Sequence, residues 1–221
     1  MYRAMKKSIN TEVESSKIER SRGRPREFDR AKALEQATRL FWAKGYEATS
    51  ISDLIKSMGI ASPSLYAAFG SKEALYAEVI RHYGETQEPH FWNGFQAAAK
   101  ARDAVRWLLM DTAVFLSGSP GEHSNGCMVA LSSVGVGNEK LAEQLRSARG
   151  VGLQRLEDRL RQAVEEGEIA STTDIHALAR FVQTVQSGMS ILARDGATRE
   201  EFEGIIEIAM LGWDARTNGQ G

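Results

Sequence analysis

Three arginines alternate with a glycine and a proline at Arg22-Gly23-Arg24-Pro25-Arg26. Glycine and proline oppose helix formation there. The guanidinium groups therefore ride on an extended arm, a form that lies along phosphates or in a minor groove. Further on, Ser62-Pro63-Ser64-Leu65-Tyr66 places hydroxyl groups at the start of a short helix. Thr49 and Ser50 open the helix before it, and Lys72 opens the one after it. Small hydroxyls, helix N-termini and a lysine suit phosphate binding, and hydroxyls on a short helix suit base edges. A thiol offers different chemistry. Cys127, the sole cysteine, follows Gly126 at a helix start. Thiolates are favoured at such positions, and only the thiolate is a good nucleophile or metal ligand.

Each feature also has a plain structural meaning. A helical hairpin is an ordinary piece of an α-bundle, an arginine-rich segment an ordinary solvated tail, and a free cysteine a small buried hydrophobe. The order of the elements decides between these meanings. Leu34, Ala37, Leu40 and Phe41 recur at helical spacing after Asp29, and Gly45 stops the run. Ile51, Leu54, Ile55 and Met58 follow, with Ser50 and Asp53 spaced as a capping box and Gly59 directly after. Ser62 as cap and Pro63 as first helical residue then predict a helix to about Ala68. Two short helices joined by a tight glycine turn have helix-turn-helix spacing. Ser71 caps a fourth helix. Longer helices are expected at Ala101–Ser117, Asn138–Glu166, from Thr172-Thr173-Asp174 through Leu192, and from about Thr198 through Trp213, with a short apolar helix at Cys127–Val134. No alternating strand pattern competes, so the expected fold is all-α with about nine helices.

Charge points the same way. The net charge of −1 hides a split: residues 1–83 hold 15 basic and 10 acidic groups, and residues 84–221 hold 13 and 19. Such asymmetry suggests a nucleic-acid-facing end. One cysteine precludes an intrachain disulfide framework and fits a reducing, cytoplasmic setting. No run approaches the ~18 apolar residues of a membrane helix, and the charged first residues lack the apolar stretch of a secretory signal. The chain shows no HExxH, Gly-x-Ser-x-Gly or phosphate-binding glycine loop among its motifs. His82, His90, His123 and His176 form no ligand spacing beyond His123-x-x-x-Cys127, a two-ligand match without a carboxylate. No enzyme, cofactor or metal is expected.

With these residues in place, the segment Phe28 to Tyr83 resembles the DNA-binding domain of TetR-type transcriptional repressors. The resemblance rests on the Arg22–Arg26 lead, Ala37 and Phe41 before Gly45-Tyr46, and Thr49-Ser50-Ile51 with Leu54-Ile55. It continues through Gly59-Ile60-Ala61-Ser62, Ser64-Leu65-Tyr66, Phe69 and Ser71-Lys72-Glu73-Ala74-Leu75. A weaker similarity runs through Gly126-Cys127-Met128, Glu166-Gly167-Glu168-Ile169, Ala179 and Gly188. It implies a flexible basic arm (1–27), a helix-turn-helix head (28–71) and a ligand-binding and dimerisation domain (72–221). It further implies a homodimer on a palindromic double-stranded operator, released by a small molecule. Tyr66, Lys72 and Thr49 or Ser50 correspond to phosphate-contacting positions, and Ser62, Pro63 and Ser64 to base or backbone contacts. Ala67 and Ala68 depart from the family, where His or an aromatic is common.

The remaining assignments are open between function and packing. Trp107, Met110, Asp111, Phe115, Cys127, Met128, Leu131, Phe181 and Gln186, with Gln183 and Met189, are the candidates for lining a ligand pocket. Val182, Val185, Met189, Phe202, Ile206 and Trp213 are the candidates for a dimer interface. Cys127 as a sensor of oxidants or electrophiles, and a DNA-binding activator without an effector, stand as alternatives.

Overall fold

The computed structural model describes residues 28–118, 126–132 and 137–217, and among them forms nine helices and no strand. The arginine arm lies outside the described residues. Helix α1 (Arg30–Lys44) starts on Asp29, whose carboxylate accepts from the Lys32 N–H at 3.0 Å, and stops at Gly45. Helix α2 (Ile51–Met58) starts in the expected capping box, with Ser50 Oγ accepting from the Asp53 N–H and Asp53 accepting from the Ser50 N–H. Gly59 ends it at φ 67°, a left-handed conformation that side chains oppose, and the chain turns straight into α3 (Ser62–Phe69). This helix starts one residue earlier than the Ser-Pro pattern suggests. Ala61 is the cap and offers no side-chain acceptor, so Ser62 is already helical and not the cap.

Ser71 caps the long α4 (Lys72–Ala97), accepting from the Ala74 N–H at 3.1 Å. Pro89 sits inside α4, where its missing N–H deletes one helical hydrogen bond. The larger part comprises α5 (Ala101–Leu116), α6 (Met128–Leu131), α7 (Glu139–Glu165), α8 (Ile175–Arg194) and α9 (Arg199–Thr217). Cys127 is the cap of α6 and not its first residue. The cap of α5, Lys100, has no side-chain acceptor, and Glu168 from the α7–α8 turn supplies one, accepting from the Ala101 N–H at 2.7 Å.

Two hydrophobic clusters hold these helices. The first joins Ala37 and Phe41 of α1, Leu54 of α2, Leu65 and Phe69 of α3, and Leu75, Tyr76 and Val79 of α4. Met128, Leu141 and Leu145 also join it, so the head and the larger part share one core through α4. The second packs Leu108 and Leu109 of α5 against Leu156 and Leu160 of α7, Val182 and Met189 of α8, and Phe202, Ile206 and Trp213 of α9. Phe115 touches both clusters. No helix of the described residues is long and apolar enough to cross a membrane.

Candidate nucleic-acid interface and inner cavity

The head presents α3 outward. Leu65 and Phe69 turn into the core, which leaves Pro63 and Tyr66 exposed, with Ser62 and Ser64 half-exposed beside them. Because Ala61 caps nothing, the first amides of α3 have no side-chain acceptor, which is where an anion is favoured. Lys72 stands next to this face. Its ammonium lies 4.3 Å above the Tyr46 ring, and the Tyr46 hydroxyl donates to Glu73 at 2.9 Å. Burial and that acidic neighbour push the Tyr46 pKa up to about 12, so the ring stays neutral and holds the lysine at the first turn of α4. Ser50 is exposed, although its hydroxyl also bonds Asp53 at 2.9 Å. Arg30 clamps α1 to α4 through two bonds to Glu78, at 2.6 and 2.7 Å.

Thr49 departs from the expected role. It is fully buried, and its hydroxyl donates to the Gly45 carbonyl at 2.7 Å, so it pins the α1–α2 turn and its side chain is not presented at the surface. Arg22, Arg24 and Arg26 lie outside the described residues. We expect Lys72→Ala to weaken binding to all DNA sequences about equally and to lower the salt slope by ~1, read from shift assays across a salt series. A sequence-dependent loss at unchanged slope would place Lys72 away from the backbone.

An inner cavity of about 210 Å³ lies between α4, α7 and α8. Tyr83, Gln87, Phe91 and Trp92 of α4 face Arg149 and Gly152 of α7 and Gln183 and Gln186 of α8, with Cys127 at one wall. Gln186 donates to the Thr112 hydroxyl at 3.0 Å and Gln183 to the Arg149 carbonyl at 3.1 Å. The Tyr83 hydroxyl accepts from the Met128 N–H at 3.3 Å. Burial first, and Cys127 second, push the Tyr83 pKa well up.

Of the candidate pocket residues, Cys127, Gln186 and Gln183 meet at this cavity. The others do not. Trp107 is 50% exposed and Phe181 40% exposed, both on outer faces, because the inner stripes of α5 and α8 are filled by Leu108, Leu109 and Val182. Met110 lines a groove against α9. Asp111 accepts from the Gly94 N–H instead, and burial raises its pKa. Met128 and Leu131 face a second hollow, beside Trp42 and Arg194. Phe115 stacks on Trp42 with centroids 5.9 Å apart, and Met189 is core. Arg149, Gln87 and Trp92 carried no signal of their own in the sequence. Their helices show several faces of similar polarity, and only the packing selects one.

The dimer candidates need the same correction. Val182, Met189, Phe202, Ile206 and Trp213 are buried within the chain, and Val185 alone keeps partial exposure. The free apolar stripes lie elsewhere: Phe181, Gly188, Ile191 and Leu192 on α8, and Gly204, Ile208, Leu211 and Gly212 on α9. Ile208 is 73% and Leu211 69% exposed. A Cβ at Gly212 would lie 3.9 Å from the tip of Phe181, so the two stripes meet in one face.

Two joints connect this region to the head. The Trp42 indole N–H donates to the Gly126 carbonyl at 2.8 Å, and Arg194 at the end of α8 donates to the Trp42 carbonyl at 2.6 Å. Gly126 immediately precedes Cys127 of the cavity wall.

Comparison with known proteins bears on both regions. The profile of "Bacterial regulatory proteins, tetR family" matches residues 33–79. The HTH-type transcriptional repressor ComR of Escherichia coli K12 is 32% identical over 205 residues, covering 89% of this chain and 94% of that one. The repressor BdcR of the same organism is 30% identical over 199 residues, covering 85% and 90%. A cysteine mutant of the TetR family transcriptional regulator CifR, solved with 26 bp double-strand operator DNA, superposes with a TM-score of 0.79 at 36% identity, covering 85% of this chain and 98% of that one.

Proposed function

Because the chain belongs to the TetR family of bacterial regulatory proteins, we propose that it is a dimeric, DNA-binding transcriptional repressor whose hold on a palindromic operator is governed by a small molecule in the cavity between α4, α7 and α8. The observation that carries this reading is the shared wall. Helix α4 begins at Lys72, directly after α3, the recognition helix in this reading, and forms one side of the cavity from Tyr83 to Trp92. An occupant that moves this wall moves the head, and Pro89, within the wall segment itself, is where α4 lacks one helical hydrogen bond. The relatives named as repressors, and the operator bound to CifR, support the direction of the effect. A two-fold dimer would read half-sites one helical turn apart, ~34–36 Å, or a multiple of that. The protein then works in the cytoplasm as a regulator, with no reaction of its own.

Footprinting on the DNA flanking the gene tests this. A two-fold symmetric footprint is expected, erased by a compound that also raises the melting temperature. An asymmetric footprint, or one that persists with every stabilising compound, would overturn the reading. One observation favours a second effector chemistry: the Cys127 thiol lines the same cavity, beside Tyr83. In that reading a reactive electrophile releases the operator and Cys127→Ser abolishes the response. Unchanged release from Cys127→Ser would remove it.

A further inference from the structure

Arg149 differs from its neighbours on α7. Arg146 pairs with Glu139 and Glu143, Arg161 with Glu157 and Asp158, and Arg159 approaches Glu166 and Glu168. Arg149 forms no ion pair among the described residues. Its guanidinium is half-buried at the cavity wall, and its bond to the Val129 carbonyl is long, at 3.4 Å. Burial, followed by repulsion from Arg146 and against a smaller pull from Cys127, lowers its pKa, yet a guanidinium stays charged in proteins. A partly desolvated cation without a counter-anion is costly, and a carboxylate matches its fork with two parallel hydrogen bonds.

The rest of the cavity supplies a body and a second anchor. Phe91, Trp92, Ile80 and Val151 give apolar walls. The Gln87 side-chain oxygen is buried with no partner among the described residues, so it calls for a hydroxyl or N–H donor. At about 210 Å³ the cavity is smaller than the ~300–1,000 Å³ of pockets for drug-sized ligands.

We infer that the cavity takes a small monocarboxylic acid of on the order of ten non-hydrogen atoms, its carboxylate paired with Arg149 and a hydrogen-bond donor on its body meeting Gln87. The inference rests on the effector-cavity reading above and names the ligand class.

The test uses the full chain and a series of butyrate, benzoate, salicylate and phenylacetate, each with its matched amide, measured by thermal shift and titration calorimetry. At least one acid is expected to stabilise the protein at about 100-fold lower concentration than its amide. Arg149→Gln should remove that preference, and Arg149→Lys, which keeps the charge but loses the fork, should retain only part of it. If no acid outperforms its amide on the unaltered protein, or if Arg149→Gln preserves the preference, the inference fails. Operator release is read separately. Acids that bind through Arg149 without releasing operator overturn the effector reading and leave the ligand class standing. Release of the unaltered protein by a neutral compound bound in the cavity, with no acid outperforming its amide, does the reverse.

Discussion

Replacing Ile208 and Leu211 together with glutamate is expected to convert the protein to a monomer and to weaken operator binding by at least about 100-fold. The argument begins with area. Both side chains are large and more than two-thirds exposed, although both sit on a helix whose opposite stripe is fully used in the core. Single exposed leucines are common, but here Ile208 and Leu211 belong to an α9 stripe that meets exposed Phe181 of α8 at Gly212, and contiguous apolar surface marks an interface. On a two-fold interface each substitution appears twice, and a buried unpaired charge costs several kcal/mol. Two heads on one dimer gain affinity because the second contact is intramolecular, and that gain is lost with the dimer. Sedimentation and a shift assay check both halves. Val114→Glu, at an apolar residue 49% exposed on α5, should leave the dimer intact. A double variant that remains dimeric at micromolar concentration would place the interface elsewhere.

The same face shows which parts of the molecule the sequence could express. Helix starts and stops are local, and Asp29, Ser50, Ser71, Asn138 and Asp174 all cap where their types suggest, since each needs only an amide a few residues on. The outward set of α3 was legible for a related reason: Leu65 and Phe69, four apart, fix the inner side of so short a helix, and Tyr66 must then face out. Helix α8 offers two apolar stripes, one through Val182 and Met189 and one through Phe181 and Leu192. Periodicity reports that both exist and is silent on which meets the same chain and which a second copy. Thr49 failed differently. A threonine after Gly45 has the right place for a phosphate, but its own turn carbonyl is nearer. The cavity was least legible. Gln87 and Arg149 are polar residues on long helices rich in polar residues, and they join the candidates Gln183 and Gln186 only after α4, α7 and α8 have packed.

Gly126→Ala is expected to be the most destabilising single substitution of this region, by about 3 kcal/mol, and to impair operator release by whatever occupies the cavity. Gly126 holds φ at 101°, which L side chains rarely adopt, and an added Cβ would lie 2.4 Å from the Leu131 side chain and 2.6 Å from the Ser190 backbone oxygen. The Leu131 tip can turn away, but the Ser190 carbonyl is part of α8. The segment must therefore retreat from α8, and it carries two functional neighbours as it goes. Its carbonyl receives the Trp42 indole N–H from the end of α1, and the next residue is Cys127 in the cavity wall. Trp42→Phe separates the two effects. It keeps the backbone and most of the ring contacts, but removes one donor and leaves a buried carbonyl unsatisfied, at about 1–3 kcal/mol. Urea unfolding gives the stabilities, and operator release at saturating ligand gives the coupling. A loss below about 1 kcal/mol for Gly126→Ala would mean that the chain relaxes away from α8 freely. Unimpaired release in Trp42→Phe would mean that the signal reaches the head through α4 alone. Impaired release in Trp42→Phe, with ligand affinity retained, would make the Gly126–Trp42 bond a second connection, acting on α1 while α4 acts on the recognition helix that precedes it.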